Sequence, residues 1–168
     1  MIFKFLSKNF YISFSIVTLI YFLDRLSKIY VIQLDKNNLG SDIFNSAYLN
    51  IVLIWNKGIA FGLLSFNESY LYNIISLIIA IIIMILVIMS FKSQGYMRYS
   101  LLMIIGGALG NLHDRIFFNA VPDFIDFHIG NFHWFIFNVA DIFITFGVIL
   151  MIILELIDRP NKKIDEKL

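Results

Sequence analysis

The stretch Phe137-Asn138-Val139-Ala140-Asp141 opens the last long apolar run of the chain, which extends from Ile142 to Ile157. A run of this kind approaches the roughly 20 mostly apolar residues that a helix needs to cross a bilayer. A carboxylate in the first turn of such a helix either caps the helix or takes part in chemistry. Which of the two Asp141 does depends on the side chains that the fold brings to it.

The composition is that of a membrane protein. Of the 168 residues, 60% are hydrophobic and 15% are charged, whereas a soluble domain has about 45–50% apolar and about 25% charged residues. The net charge of +1 and the lack of a basic tract exclude nucleic acid as a partner. Cysteine is absent and the three histidines lack zinc-protease spacing, so we expect no metal site and no cofactor.

Four apolar runs are predicted to cross the membrane, at about residues 10–32, 71–91, 97–117 and 138–157, with Asp158-Arg159-Pro160 ending the last helix. They leave two polar intervals, 33–70 and 118–137. The positive-inside rule places both termini in the cytoplasm, and both intervals outside, because most basic residues fall on one side: Lys4, Lys8, Lys92, Arg98, Arg159, Lys162, Lys163 and Lys167. The predicted chain is a single domain, residues 1–168.

The first polar interval carries a strand signal. Residues 48–55 are rich in β-branched and aromatic side chains, Asn56-Lys57-Gly58 is a turn, and Ile59 to Leu63 is a candidate returning strand. We therefore predict an all-α membrane protein with a small β-rich extracytoplasmic platform lying on the bilayer. For Asn56 and Gly58 an ordinary hairpin turn is the alternative interpretation.

The first helix contains ionisable residues at membrane depth, where they are costly and usually face the bundle interior. Asp24 and Lys28 are four residues apart, so they share a helix face and can pair, and Arg25 stands beside them. The alternative to a position inside the bundle is an ion pair at the helix end, where the long side chains of Arg25 and Lys28 extend to the membrane surface.

The third helix changes character in its second half. Gly106 and Gly110 form a small-x-x-x-small face that permits close approach of another backbone. Asn111 and Arg115 follow, one turn apart on a similar face. This pattern indicates the wall of a site, although a packing motif followed by an interfacial anchor would look the same.

The second polar interval supplies two candidate partners for Asp141. Asp123 follows Val121-Pro122, which favours extended backbone, and Asp126 is three residues further on. In an extended segment these two carboxylates point to opposite sides, so at most one faces a given pocket. Spacing alone does not decide between them.

Asp141 itself has a plain structural interpretation. Asn138 is a good N-cap residue and Asp141 stands three positions later, as the acid of a capping box does. The functional interpretation needs a second carboxylate. Two close carboxylates repel, so one keeps a proton at neutral pH while the other stays ionised. The ionised one can then take a proton from water while the protonated one donates to a substrate carbonyl.

Five blocks of sequence resemble, in the same order, the bacterial lipoprotein signal peptidases (signal peptidase II). They are 24–28 (DRLSK), 56–62 (NKGIAFG), 106–115 (GGALGNLHDR), 121–127 (VPDFIDF) and 137–141 (FNVAD). The resemblance implies an aspartic endopeptidase of the bacterial cytoplasmic (inner) membrane, with its active site towards the extracytoplasmic face. Its substrate would be a prolipoprotein, cut just before a diacylglyceryl-modified cysteine. We expect membrane lipids as further partners and a monomeric protein.

The resemblance also implies roles for individual residues. Asp123 and Asp141 match the catalytic pair, and Asp126 a non-catalytic neighbour. Asp24 and Lys28 match a structural or orienting pair. The positions that shape the pocket or hold substrate are Asn56, Gly58, Asn111, Arg115, Asn138 and Ala140.

Four positions depart from the family pattern: Ser27, Pro122, Ile142 and Phe143. None removes an acid or the pair Asn111 and Arg115. Pro122 and Phe143 are the departures that bear on the shape of the pocket, and their effect on substrate preference is open. Two other classes of protein remain as alternatives. A transporter or channel subunit needs polar residues near mid-bilayer on several helices, yet the second helix is bland. An intramembrane aspartyl protease places both aspartates deep in helices, yet Asp123 lies in an interval.

Overall fold

The computed structural model describes residues 8–37, 43–58 and 69–165, and the side chains of 9–37, 43–58 and 72–157. Within these ranges the chain forms four helices: α1 Lys8–Asn37, α2 Ser69–Lys92, α3 Gly95–Phe118 and α4 Val139–Asp165. Two short strands, β1 Phe44–Asn45 and β2 Leu49–Asn56, follow α1, and β3 Val121–Ile129 and β4 Phe132–Phe137 lie between α3 and α4.

Three helical segments of the described chain are long and apolar enough to cross a membrane. They are Tyr72–Lys92, Gly95–Phe118 and Val139–Ile157, with mean hydropathies of 3.3, 1.2 and 2.4. The side chains of α2 are largely exposed, among them Ile81, Met84 and Ile88. The four-span count and the inner location of the termini stay predictions.

Helix α3 lies at the centre of the bundle and contacts α1, α2 and α4. Its first half supplies the apolar core, where Leu102 and Ile105 pack against Ile83 of α2. Its second half brings the buried polar residues Asp114 and Arg115 to the end of the bundle that carries the strands. The first half of α3 therefore packs in the apolar core, and its second half carries buried polar side chains.

The strands form one antiparallel sheet in the order β1-β2-β3-β4. The platform predicted from the first interval is thus only half of the sheet, because β3 and β4 come from the second interval. Alternation of apolar and acidic residues in β3 is the strand signal there. A turn at Gly130-Asn131 joins β3 to β4, and Gly130 adopts a φ of 59°, which glycine reaches without steric cost.

Pro122 and Asp123 occupy a special part of β3. Asp123 pairs with Ile54 of β2 and Pro122 with Trp55, whereas the pairing of β3 with β4 reaches only to Ile125 opposite Phe137. Among the described residues β3 has no strand partner on that side near Pro122, so the missing N–H of proline disrupts no ladder there. The side chain of Asp123 is hydrogen-bonded to Asn138, the residue that precedes α4.

Two sequence-based boundaries need correction or fall outside the described residues. The prediction that Asp158-Arg159-Pro160 ends the fourth helix is wrong, because α4 continues to Asp165. A proline removes one backbone donor, and the lysines that follow it are good helix formers. The returning strand predicted at Ile59 to Leu63 lies outside the described residues.

Candidate active site

Asp123 is held by two side-chain amides. Its Oδ2 accepts a hydrogen bond from Asn56 Nδ2 at 2.8 Å, and its Oδ1 accepts one from Asn138 Nδ2 at 2.6 Å. The residue is only 4% exposed. Burial first, and the negative charge of Asp141 second, raise the pKa of Asp123 to about 6, against the lowering effect of the two amides. A carboxyl with such a pKa can hold or release a proton near neutral pH.

Asp141 forms the predicted capping box at the start of α4. Its Oδ2 accepts from the backbone N–H of Asn138 at 3.1 Å, and its own N–H donates to Asn138 Oδ1 at 3.1 Å. Its other oxygen, Oδ1, accepts from Asn111 Nδ2 at 2.8 Å. A carboxylate in this position is favoured by the helix dipole. The cap is therefore real, and it fixes the direction of the carboxylate.

Both aspartates line one cavity of about 450 Å³. Asn138 connects them, since its amide nitrogen bonds Asp123 while its amide oxygen accepts from the backbone of Asp141. The remaining wall is mainly apolar and is built by α2, α3 and α4, including Ile79, Ala108, Ile144, Val148 and Ile149. The two carboxyl groups thus meet an apolar cavity of the size that binds small ligands.

Arg115 lines the same cavity and connects it to the end of β2. Its Nη2 donates to the backbone oxygen of Gly58 at 2.9 Å, and the N–H of Gly58 donates to Asn56 Oδ1 at 2.7 Å. The guanidinium also lies over the ring of Tyr72, 5.4 Å from its centroid. Its Nε and Nη1 are buried and have no hydrogen-bond partner among the described residues.

Asp24 and Lys28 form the predicted pair, at 2.9 Å, within a larger buried network. Asp114 of α3 joins them: Lys28 Nζ lies 2.8 Å from its Oδ2, and Arg25 bonds both of its oxygens. Arg25 Nη2 also donates to Asp24 Oδ2 at 2.8 Å. Lys28 Nζ further donates to Asn111 Oδ1 at 2.8 Å, which joins this network to the candidate site.

The glycines of α3 bring their neighbours into position. A Cβ on Gly106 would lie 2.8 Å from Ile20 Cβ, and one on Gly110 would lie 2.5 Å from Asp24 Oδ2. The predicted close approach is therefore confirmed, with α1 as the partner. Ala140 is fully buried and donates its N–H to Asp24 Oδ1 at 3.0 Å. This hydrogen bond joins the first turn of α4 to α1 beside the cavity.

Asp126 lies away from the cavity. This agrees with the expectation that Asp123 and Asp126 point to opposite sides of β3. Its carboxylate accepts from Asn50 Nδ2 at 3.2 Å and lies 2.9 Å from His133 Nδ1. Asp126 is not part of the cavity wall. Within the described ranges, no group of three or more His, Cys, Asp or Glu side chains is arranged to hold a metal ion.

Sequence reasoning missed Asp114 and the apolar cavity wall. Asp114 is four residues after Gly110, on the face predicted to pack closely, and this spacing could have identified it as a partner of Asp24. The wall residues Ile144, Val148 and Ile149 follow a helical period in α4. They carry no signal that separates cavity from lipid contact, because both surroundings are apolar.

The chain is similar in sequence to known proteins. The profile of the family described as signal peptidase (SPase) II matches residues 16–157. A lipoprotein signal peptidase of Pelagibacter ubique is 48% identical over 160 residues, which cover 95% of this chain and 96% of that protein. The lipoprotein signal peptidase of Anaplasma phagocytophilum is 44% identical over 142 residues, covering 83% of this chain and 88% of that one.

Two solved structures of bacterial membrane enzymes, obtained by the in meso method, are similar to this fold. The first, at 2.3 Å resolution, has a TM-score of 0.73 and 33% identity, and the match covers 89% of this chain and 90% of that one. The second, at 1.9 Å, has a TM-score of 0.70 and 34% identity, with 86% and 92% covered. With the family profile matched across most of its length, the chain belongs to the signal peptidase II family of aspartic peptidases.

Proposed function

We propose that this protein removes the signal peptide from prolipoproteins by cutting just before a diacylglyceryl-modified cysteine. The observation that carries the proposal is the pair of buried carboxyl groups, Asp123 and Asp141, facing one apolar cavity and bonded to the same asparagine. The names of the relatives support the substrate. An apolar cavity bordered by membrane-spanning helices suits both an apolar signal sequence and a lipid-modified residue.

The two aspartates take different roles. Asp141 is the general base: the start of α4 and the N–H of Asn138 favour its ionised form. Asp123, whose pKa burial and the charge of Asp141 raise to about 6, is the general acid. Asp141 removes a proton from water, the water oxygen attacks the scissile carbonyl carbon, and Asp123 protonates the carbonyl oxygen. The resulting gem-diol intermediate collapses as Asp141 gives its proton to the peptide nitrogen, which leaves as the amine, while Asp123 takes a proton back from a gem-diol hydroxyl and the carboxyl product forms. Both aspartates then have their starting protonation states.

Other residues of the cavity hold the pair and the substrate. Asn56, Asn111 and Asn138 donate to the carboxylates and keep them apart from other partners. Arg115, anchored by Gly58, presents its two unused donors to a carbonyl or ester oxygen of the substrate. Ala140, Gly106, Gly110, Asp24 and Lys28 act structurally, by seating α1 and α4 against α3.

We also infer the membrane arrangement. Helix α1 is the fourth span, with its charged residues Asp24, Arg25 and Lys28 turned into the bundle, as costly groups at membrane depth require. Both termini then lie in the cytoplasm, and the sheet and the aspartates lie at the outer face of the inner membrane. The single domain acts as a monomer, which is supported by a cavity built from one chain.

The direct experiment is incubation of the purified full-length protein with a diacylglyceryl-modified prolipoprotein, with cleavage followed by gel shift. The matched control is the same precursor without the lipid modification. We expect cleavage of the modified precursor and none of the unmodified one. Failure of the folded protein to cut the modified precursor would contradict the proposed function.

A further inference from the structure

A polar cavity lies at the end of the bundle away from the aspartates. It is bordered by the first turns of α1 and by the connection between α2 and α3, and it has a volume of about 510 Å³. Polar residues in its wall include Asn9, Ser13, Ser93, Gln94 and Arg98. The proposed cleavage takes place at the opposite end of the bundle, so this cavity has no part in it.

Arg98 is the charged group of this cavity, and its donors are only partly used. Its Nη2 donates to the backbone oxygen of Asn9 at 3.2 Å, while its Nε is buried without a hydrogen-bond partner in the described chain. The hydroxyl groups of Ser13 and Ser93 donate to backbone oxygens of their own helices. Among the side chains that the structure describes, no carboxylate lines the cavity. A half-buried guanidinium in this state is stabilised by an anion.

The surroundings of Arg98 suit a phospholipid better than a free anion. Apolar and aromatic side chains in the same wall are exposed, with Phe91 at 62%, Tyr99 at 42% and Ile12 at 37%. A polar cavity with a guanidinium fits a phosphate group, whose oxygens match the planar donor fork. The exposed apolar edge fits the glycerol and the first methylenes of the acyl chains.

We propose that this cavity binds the phosphate of an anionic phospholipid, such as phosphatidylglycerol. Basic pockets between helices on the cytoplasmic side of membranes are known places for such headgroups. The lipid would bridge α1 to the α2–α3 connection through Arg98. This inference is independent of the peptidase activity, because none of the residues involved contacts the aspartates.

The test is native mass spectrometry of the full-length protein, released from nanodiscs that contain phosphatidylcholine and phosphatidylglycerol in equal amounts. We expect the wild-type protein to retain phosphatidylglycerol in preference to phosphatidylcholine. Arg98→Gln should reduce that retention by roughly tenfold, as the loss of a charge-assisted hydrogen bond predicts. The matched control is Lys92→Gln, which removes an exposed basic residue at the same end of the bundle but outside the cavity wall, and it should leave the retention unchanged.

Three outcomes would overturn the proposal. One is equal retention of the two lipids by the wild-type protein, and another is an equal loss in Arg98→Gln and Lys92→Gln, which would indicate general surface charge. The third is displacement of the lipid by inorganic phosphate at millimolar concentration, which would point to a soluble anion. Prolipoprotein cleavage at the wild-type rate shows that Arg98→Gln is folded. Should that variant fail to fold, Ser93→Asp places a carboxylate in the cavity wall, and unchanged retention there would refute the proposal.

Discussion

Two pairs of buried aspartates lie close together in this bundle and are treated differently by their surroundings. Asp24 and Asp114 share the cations Arg25 and Lys28. The hydrogen bonds of Asp123 and Asp141 come instead from neutral amides. The two cations neutralise the charges of the first pair, whereas the second pair is held by amides in an apolar cavity, where burial raises the pKa of Asp123 to about 6. The difference supports the proposal that the first pair stabilises the fold and that the second pair carries out the chemistry.

Asn111 lies at the boundary between the two pairs. Its Oδ1 accepts from Lys28 Nζ and its Nδ2 donates to Asp141 Oδ1, both at 2.8 Å. The lysine therefore fixes the amide orientation, and the amide in turn orients Asp141 without placing a full positive charge against it. A group that is itself held by hydrogen bonds can keep a reactive side chain in its working geometry.

The largest expected effect is on the amide-held pair. Asp141→Asn should reduce prolipoprotein cleavage by at least about 10²-fold, because it removes the general base. An asparagine can still take part in the cap, so the protein should fold and insert as before. Cleavage rates measure the loss of activity, and thermal unfolding measures whether the variant is folded. Full activity in Asp141→Asn would remove the distinction between the two pairs.

Substitutions around Asp24 and Asp114 should lower the free energy of unfolding. Lys28→Met leaves two buried carboxylates with a single guanidinium, and breaking a buried pair in this way costs about 3–5 kcal/mol of unfolding free energy. Thermal or denaturant unfolding in detergent measures the loss. Lys36→Met, at an exposed position in the last turn of α1, is the control and should change stability by less than about 0.5 kcal/mol. Equal stability of the two variants would contradict a structural role for the network.

A smaller effect is expected where α3 meets α1. Gly110→Ala would bring a Cβ to 2.5 Å from Asp24 Oδ2, so the helices must separate, at a cost of about 1–3 kcal/mol. The melting temperature should fall, and cleavage should fall with it if the network orients Asp141 through Asn111. An unchanged melting temperature would show that α1 can move away without strain.

The subtlest effect is on the pH dependence of cleavage. As the pH rises through the pKa of Asp123, about 6, the general acid loses its proton, so kcat/KM of the free enzyme should decrease on the basic side. Asn56→Ala removes a hydrogen bond that favours the ionised form, hence the pKa of Asp123 should rise and the decrease should move to higher pH. A shift to lower pH would contradict the assignment of Asp123 as the acid.

Much of this arrangement could be predicted from the sequence. Apolar run lengths predicted the helices, the N-cap spacing of Asn138 and Asp141 predicted the box at α4, and the spacing of Asp24 and Lys28 predicted their pair. These are local signals, since each depends on residues within one or two turns. The orientation of Asp123 and Asp126 to opposite sides also followed from strand geometry alone.

Non-local pairing was harder to predict. The sheet takes β1 and β2 from one interval and β3 and β4 from another, and no local pattern specifies which strands pair. Asp114 was missed because its partners Arg25 and Lys28 are on another helix. The choice of Asp123 over Asp126 likewise came from the family resemblance, because strand alternation shows that they diverge but not which one faces α4.

The most direct measurement compares Asp123→Asn with Asp126→Asn in cleavage of a diacylglyceryl-modified prolipoprotein. Both substitutions remove a buried carboxylate from β3, 4% exposed in each case, so they match in chemistry and differ in the face of the sheet. We predict no detectable cleavage by Asp123→Asn and substantial cleavage by Asp126→Asn. Full activity of Asp123→Asn, or complete loss in Asp126→Asn alone, would contradict the account.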